Sequence, residues 1–485
     1  MTKISKIILS IFLLLLVASF VILNNTQLSE QVFQANEENS ASEIQTGSIG
    51  NSESISSSFS SSQSIPSSSS SENTSTDETQ TPPSSQEQSS EAPPSSSQEQ
   101  SSEAPPSSAG QGSESPSKPE QVLPPPVQQK PLPSIGKYMV GYYTSWSASK
   151  GYYPSNIDAE KLTHINYAFA RISEDNKILL NNPTVDLQNL EGLRNLRNRN
   201  PDLKILISVG GWDYSKYFSN VALTAQSRET FADSCVSFLI KHNLDGIDLD
   251  WEYPVSGGMA GNINRPEDKQ NFTKLLQTIR YKLDEQSKKD SKTYYLTIAG
   301  GISSSYVNKI ELTNILKYID YIFIMGYDIH GSWENYSDLN APLYSPQEPS
   351  PQHKTSVSDG VNNYLRAGAP ASKLVLGMPF YGYKYNLSTF DNDGLYQTFS
   401  SAKSISYDMI STDYLSDSSY IRFTHPQAKV PYIFGNNTFI SYDDSASIAL
   451  KTQYAKSLGL AGVGAWELSH DSKGVLLESA YNSLH

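Results

Sequence analysis

The most informative stretch of the chain is Asp245-Gly-Ile-Asp248-Leu-Asp250-Trp-Glu252-Tyr-Pro254. Side chains on a β-strand point alternately to the two faces, so the stretch has an apolar face and an acidic face. The apolar set is Ile247, Leu249 and Trp251, and the acidic set is Asp248, Asp250 and Glu252. We expect the apolar face to pack against surrounding helices. The acidic face then lies on the axis of a parallel barrel, at the carboxyl end of the strand where such barrels keep their chemistry.

The three acids have no stabilising role inside an apolar strand, so the stretch predicts a functional site. Like charges raise one another's pKa, and this coupling would hold Glu252 protonated near neutral pH as a proton donor. Clustered carboxylates also suit Mg²⁺ or Ca²⁺, which makes a metal site the competing hypothesis. Asp245 breaks the alternation by one residue, and we expect it to support the structure instead of the chemistry.

On both sides of this stretch, short β-rich runs alternate with helical stretches such as 227–242 and 266–288. The predicted strands are 138–143, 164–170, 204–209, 246–250, 294–299, 321–325, 373–378 and 462–466. Most are continuous apolar runs, which is typical of parallel strands covered on both faces. Eight β–α units predict an α/β fold, a (β/α)₈ TIM barrel, with an open doubly wound sheet as the alternative. A stretch rich in Tyr, Ser and Asp, about residues 384–442, predicts a small α+β insertion after the seventh strand.

Composition divides the chain into three parts. Residues 1–23 combine two lysines with an apolar run, which predicts either a cleaved signal peptide or an N-terminal membrane anchor. Residues 24–134 are rich in Ser, Pro, Glu and Gln and are expected to form a disordered linker. Residues 135–485 form the predicted catalytic domain. We therefore expect an extracellular protein, either secreted or tethered to the outer face of the membrane through residues 7–23.

The net charge of −14 resides mostly in the linker, where 14 acidic residues face two lysines between positions 24 and 133. No basic face remains to suggest nucleic acid as a partner. The single cysteine, Cys235, excludes an intrachain disulfide and is expected to be a buried free thiol. We expect a monomer that needs no cofactor and no metal.

Five motifs together resemble glycoside hydrolase family 18, the chitinases. Besides the acidic stretch, they are Ser208-Val-Gly-Gly-Trp212, Met325-Gly-Tyr-Asp328, Gly377-Met-Pro-Phe380 and Gly462-Val-Gly-Ala-Trp466. Family members use the substrate's own 2-acetamido group instead of a second carboxylate as nucleophile. The resemblance implies that Glu252 protonates the glycosidic oxygen and that Asp250 holds the acetamido N–H. Asp248 would share a proton with Asp250, and Tyr327 would donate to the acetamido oxygen.

The resemblance also implies a set of contacts to the sugar. Aromatic side chains would stack on sugar rings or form the floor of the groove, and glycines would allow the backbone to approach the sugar. The expected substrate-binding residues are Tyr142, Trp146, Phe169, Gly210, Gly211, Trp212, Asp213, Tyr253, Met325, Asp328 and Trp466. Trp333 is a weaker candidate for such a contact.

The chemistry requires an N-acetyl group at the bond that is cut, so the expected partner is a polysaccharide containing N-acetylglucosamine. Endo-acting hydrolysis of β-1,4 bonds in chitin or chitooligosaccharides is the main prediction. An endo-β-N-acetylglucosaminidase acting on N-glycans or peptidoglycan is the first alternative. A non-catalytic chitin-binding, lectin-like protein is the second, although this chain keeps all four residues of the predicted catalytic set.

Overall fold

The computed structural model describes residues 138–485. The predictions of a signal or anchor at 1–23 and of a linker at 24–134 lie outside these residues. The strands are β1 (Tyr138–Thr144), β2 (His164–Ile172), β3 (Ile178–Leu180), β4 (Lys204–Gly210), β5 (Gly246–Asp250), β6 (Tyr295–Gly301), β7 (Ile322–Met325), β8 (Leu374–Pro379), β9 (Tyr381–Leu387), β10 (Phe399–Ser406), β11 (Ile421–Thr424), β12 (Pro431–Gly435), β13 (Thr438–Ser441) and β14 (Gly462–Trp466).

The α-helices lie mainly between these strands. They are α1 (Pro183–Asn195), α2 (Gly211–Tyr214), α3 (Phe218–Leu223), α4 (Ala225–His242), α5 (Asp268–Asp290), α6 (Ser304–Asn308), α7 (Leu312–Ile315), α8 (Val357–Arg366), α9 (Tyr407–Asp413), α10 (Ser445–Ser457) and α11 (Val475–Leu484). Among residues 138–485, no helix is long and apolar enough to cross a membrane.

Eight parallel strands close into a barrel, which confirms the predicted fold class. In order around the barrel they are β1, β2, β4, β5, β6, β7, β8 and β14. Closure is shown by β1, which pairs in parallel with β2 on one side and with β14 on the other. The open-sheet alternative is therefore wrong. All eight strands begin and end within two residues of the positions expected from their apolar runs.

The insertion follows β8 and forms its own antiparallel sheet, in the order β10-β9-β13-β12-β11, with the short helix α9. It begins at Tyr381, slightly earlier than residue 384. The N–H of Phe380 still donates to the carbonyl of Trp466 in the barrel, and the next residue, Tyr381, already belongs to the antiparallel sheet. From Tyr381 the chain pairs with β10 and β13 instead.

Packing around β5 follows the predicted alternation. Trp251 is buried between the rings of Phe218 and Phe272, with ring centroids 5.3 and 5.2 Å away. Burial of an aromatic side chain of this size stabilises the fold by a few kcal/mol, roughly 2–3. The acids are thereby turned to the opposite face, toward the barrel axis.

Asp245 supports the start of β5, as the broken alternation suggested. Its carboxylate forms ion pairs with Arg197 and Lys292 and accepts a hydrogen bond from the backbone N–H of Ile205. Burial raises the pKa of Asp245, but the N–H of Ile205 and the two cations outweigh it and hold the pKa below its ordinary value. Cys235, on α4, is a free, fully buried thiol whose pKa is raised by burial.

Candidate active site

Asp248 lies at the centre of a buried network of hydroxyl groups inside the barrel. Its Oδ1 accepts a hydrogen bond from Thr297 Oγ1 at 2.6 Å. Its Oδ2 accepts from Tyr142 and Ser208, both at 2.8 Å. Burial raises the pKa of Asp248, and the three hydroxyl donors oppose that rise by stabilising the anion. Asp248 is thus held in place from three other strands.

Asp250, two residues further along β5, has a different environment. It is 4% exposed, and its Oδ1 has no hydrogen-bond partner within residues 138–485. Burial raises its pKa well above the ordinary value, and the charges of Glu252 and Asp248 raise it further. A buried carboxylate oxygen without a partner is costly. It can accept a hydrogen bond from a ligand or take up a proton.

Glu252 follows the end of β5 and faces the same cavity. Burial raises its pKa to about 7, the charges of Asp328 and Asp213 add to the rise, and a hydrogen bond from Tyr253 opposes it. The expected direction is therefore present, but burial, and not repulsion from the neighbouring acids of β5, is its largest cause. A carboxyl group with this pKa can both donate and accept a proton near neutral pH.

Tyr327 and Asp328 stand just beyond β7. Tyr327 is buried, with its ring centroid 6.0 Å from that of Tyr381. Asp328 accepts hydrogen bonds from the hydroxyls of Tyr381 and Tyr383, the second at 3.0 Å. Burial raises the pKa of Asp328, and both hydroxyls oppose the rise. The insertion therefore supplies two of the groups that hold this wall of the site.

Aromatic rings form the base of the site. Trp466, at the end of β14, is stacked on Phe169 with centroids 5.6 Å apart at 26°, and its ring lies 5.3 Å from that of Tyr142. Tyr142 itself is buried beneath the site. Trp212 and Trp146 stand at the rim, 51% and 36% exposed. An exposed indole at the rim offers a flat apolar surface for stacking.

These groups line one cleft of about 640 Å³ at the carboxyl end of the barrel. That volume suits a small ligand or a few sugar units. Eleven of the predicted site residues line it: Trp146, Phe169, Trp212, Asp213, Asp250, Glu252, Tyr253, Met325, Tyr327, Asp328 and Trp466. Asp248 and Tyr142 lie below the lining and support it through the hydroxyl network.

Gly210 and Gly211 do not line the cleft, and the space beside them is filled by protein instead of being open to a sugar. Gly210 has φ of +105°, and a Cβ there would lie 2.3 Å from the carbonyl oxygen of Asp250. Gly211 has φ of +72°, and a Cβ there would lie 2.6 Å from the ring of Phe169. These glycines let β4 pack tightly against β5 and Phe169.

Two loops of the cleft were not anticipated from the sequence. The loop after β5 contributes Ser256, Gly257 and Gly258. The end of β6 and the segment after it contribute Gly301, Ile302, Ser303, Tyr306 and Lys309. Lys309 Nζ donates to the carbonyl of Ser256 at 2.9 Å and joins the two loops. The consecutive glycines at 257 and 258, directly after the acidic stretch, were a signal that could have found the first loop. Trp333 does not line the cleft and packs edge-on against Tyr383.

Among residues 138–485, no group of three or more His, Cys, Asp or Glu side chains is arranged to hold a metal ion. The three acids of the β5 stretch are instead occupied by hydroxyl donors or face the cleft.

Comparison with known proteins identifies the family. The profile described as "Glycosyl hydrolases family 18" matches residues 138–471. The chain belongs to this family. It is 42% identical over 398 residues to Chitinase A1 of Niallia circulans, an alignment that covers 70% of this chain and 57% of that protein. The chain thus spans little more than half the length of this relative.

Two solved structures of the family agree with the fold. Chitinase ChiA74 from Bacillus thuringiensis matches with a TM-score of 0.69 and 35% identity, covering 73% of this chain and 70% of that chain. A family 18 N-acetylglucosaminidase from Paenibacillus barengoltzii matches with a TM-score of 0.66 and 37% identity, covering 72% of this chain and all of that chain.

Proposed function

We propose that the chain hydrolyses β-1,4 bonds between N-acetylglucosamine units of chitin or chitooligosaccharides, with retention of configuration. The observation that carries the proposal is the pairing of two buried carboxyl groups in one cleft. Glu252 has a pKa of about 7, and Asp250 presents an oxygen that has no hydrogen-bond partner among the described residues, 138–485. Relatives named as chitinases support the substrate class.

The proposed reaction proceeds in two steps. Glu252 donates its proton to the glycosidic oxygen while the acetamido oxygen of the substrate bonds to the anomeric carbon and the glycosidic bond breaks. Asp250 accepts the hydrogen bond of the acetamido N–H and offsets the developing positive charge. Tyr327 donates to the acetamido oxygen. Glu252, now ionised, then takes a proton from water as that water attacks the anomeric carbon and restores the acetamido group.

The shape of the cleft supports cleavage within a polymer. Its lining combines the exposed rings of Trp146 and Trp212 with Trp466, Tyr306 and Lys309, so it offers several surfaces for sugar units besides the one at Glu252. Release of single N-acetylglucosamine units is the second candidate, because one of the matching structures is named an N-acetylglucosaminidase.

The decisive experiment compares the wild type with Glu252→Gln on soluble chitin oligomers, an N-glycoprotein and peptidoglycan. We expect the wild type to cleave the oligomers with an initial β-anomeric product by NMR, and Glu252→Gln to lose at least about 10³-fold in kcat. The exposed Glu191→Gln is the matched control and should retain full activity. Intact oligomers with the wild type would refute the proposal, and cleavage of only the glycoprotein or peptidoglycan would establish the alternative substrate.

We also propose that the protein acts outside the cell as a monomer, with residues 1–23 directing export or anchoring it and residues 24–134 as a spacer. The basic start and apolar run of residues 1–23 support export. Mass spectrometry of the mature N-terminus distinguishes a cleaved signal from a retained anchor. Recovery of the full-length chain in the cytosol would contradict this proposal.

A further inference from the structure

The backbone of Glu252 is held from both sides by side chains that lie outside the cleft lining. Its N–H donates to Ser215 Oγ at 2.9 Å, and its carbonyl oxygen accepts from Asn262 Nδ2 at 3.0 Å. Ser215 follows α2, on the connection after β4, whereas Asn262 lies in the loop before α5. Two separate connections of the barrel therefore converge on one residue.

Ser215 has a second function in the same place. Its buried Oγ lies 2.7 Å from the carbonyl oxygen of Gly211 and 3.1 Å from that of Asp250. A hydroxyl carries one hydrogen, which goes to one of these carbonyls, and its lone pair accepts from the N–H of Glu252. One side chain thus joins the end of β4 to the segment that carries both carboxyl groups.

The backbone around this segment is packed as closely as glycine permits. A Cβ at Gly210 would lie 2.3 Å from the carbonyl oxygen of Asp250, and a Cβ at Gly258 would lie 2.1 Å from that of Glu252. Both glycines have positive φ, +105° and +81°. Close packing therefore excludes large displacements of this segment, and the hydrogen bonds of Ser215 and Asn262 set its position to within about 1 Å.

Glu252 needs such support because the barrel ladder does not reach it. The register between β4 and β5 ends with Gly210 opposite Asp250. Beyond that pair, the strand hydrogen bonds no longer fix the chain. We propose that Ser215 and Asn262 are positioning residues, which replace the missing ladder and fix the carboxyl of Glu252 relative to that of Asp250. The inference rests on the proposed function, in which both carboxyl groups act on one sugar unit.

The test measures kcat and KM on chitin oligomers for Ser215→Ala, Ser215→Thr and Asn262→Ala. A misplacement of about 1 Å can cost up to about 10²-fold in rate, so we expect Ser215→Ala to lower kcat about 10- to 100-fold with KM within about twofold. Ser215→Thr keeps the oxygen that accepts from Glu252 and should restore kcat to within about threefold. Asn262→Ala should lower kcat in the same sense.

Ser337→Ala is the matched control. Ser337 is also buried, donates to the carbonyl of Gly394 at 2.6 Å and accepts from the N–H of Gln397 at 3.0 Å, but it lies away from the cleft. It should lower Tm about as much as Ser215→Ala does, with kcat unchanged well below Tm. An equal fall in kcat for the two variants would assign Ser215 a merely structural role.

A readout without substrate separates this inference from the proposed function. The pKa of the Glu252 carboxyl, about 7, is followed by ¹³C NMR, with Glu252→Gln identifying the signal. We expect Ser215→Ala and Asn262→Ala to lower this pKa toward the ordinary glutamate value, because a loosened carboxyl is less buried.

If the wild type leaves chitin oligomers intact, the proposed function fails and the titration of Glu252 still tests the positioning. Wild-type kcat and pKa in both alanine variants would overturn the inference. Should Ser215→Ala not fold, Asn262→Ala, on a partly exposed loop residue, carries the same test.

Discussion

Tyr381, the first residue of the insertion sheet, donates its hydroxyl hydrogen to Asp328, just beyond the barrel strand β7. Tyr383, two residues along the same strand, donates to the same carboxylate oxygen. Fifty-three residues separate Tyr381 from Asp328 in sequence. The insertion is therefore joined to the candidate active site by hydrogen bonds to a residue that lines the cleft, and not only by its place in the chain.

Tyr381→Phe tests this connection. Loss of one donor to a buried carboxylate should raise the pKa of Asp328 further and lower kcat/KM on chitin oligomers about tenfold, since a hydrogen bond to a charged group contributes about 1.5–3 kcal/mol. Tyr385→Phe is the control, because Tyr385 lies on the same face of β9 without a hydrogen bond to Asp328. Steady-state kinetics of the two variants measures the difference. Equal values of kcat/KM for Tyr381→Phe and Tyr385→Phe would contradict a functional role of the hydrogen bond from Tyr381 to Asp328.

The activity should fall on the alkaline side of neutrality. Glu252 must be protonated for the first step, and burial together with the charges of Asp328 and Asp213 raises its pKa to about 7. The acid form therefore predominates below about pH 7, and log kcat/KM should decline with a slope of about −1 above it. Asp328→Asn removes one of the charges that raise the pKa, so the alkaline limb should move to lower pH. A limb below about pH 5.5 in the wild type would show that Glu252 is not the titrating acid.

A buried ion pair outside the cleft should dominate local stability. Lys451, on α10, lies 2.7 and 2.6 Å from the two carboxylate oxygens of Asp443, and both side chains are 1% exposed. Lys451→Met leaves a buried carboxylate without its cation and should lower the free energy of unfolding by about 3–5 kcal/mol. The double variant Lys451→Met/Asp443→Asn should recover part of this loss. Denaturant titration gives both values.

The exposed pair Lys288–Glu285 provides the comparison for that experiment. Because solvent screens an exposed pair, Lys288→Met should leave the denaturation midpoint unchanged. If Lys451→Met also left the denaturation midpoint unchanged, the buried pair would contribute nothing to stability.

His164 should make the fold sensitive to acid. It is buried inside the barrel among the rings of Tyr138, Tyr295 and Tyr321, and burial, aided by the charge of Lys204, lowers its pKa to about 3. The unfolded chain takes up a proton near pH 6.5 while the folded chain does not. The contribution of His164 to the free energy of unfolding is therefore fully present above pH 6.5. It is lost as the pH falls toward 3, which lowers the free energy of unfolding by about 4 kcal/mol.

His164→Gln should flatten the pH dependence of the unfolding free energy between pH 6.5 and 3. The exposed His353→Gln serves as the control and should leave that slope unchanged. Equal slopes in the wild type and His164→Gln would contradict the assignment.

The barrel was predictable because its strands are buried on both faces. Short continuous apolar runs such as 204–209 and 373–378, alternating with helical stretches, are typical of parallel strands, although the closure of the barrel was not visible in them. Site residues at strand ends followed from the same register, since Asp248, Asp250 and Glu252 alternate with apolar partners. Residues on regular strands, and the face to which each points, could therefore be predicted from the sequence.

The features that could not be predicted from the sequence depend on contacts between segments that are distant along the chain. Lys309 and Tyr306 reach the cleft because the segment after β6 folds toward the loop after β5, and loops carry no periodic pattern. Gly210 was expected to face a sugar, but the packing partner that fills its space, Asp250, lies 40 residues away. The main cause of the raised pKa of Glu252 could not be predicted either, since burial is a property of the assembled fold.

Cys235 has a practical consequence for anyone studying this molecule. It is the chain's single cysteine, and its side chain is fully enclosed on α4. A thiol reagent can modify it only when the surrounding barrel opens, because the enclosed sulfur is neither accessible nor ionised. Pulsed alkylation followed by mass measurement therefore records the opening of the fold around α4, and it gives the opening rate when alkylation is faster than reclosing. The same enclosure lets an engineered surface cysteine be labelled with a dye selectively, without first replacing the natural one.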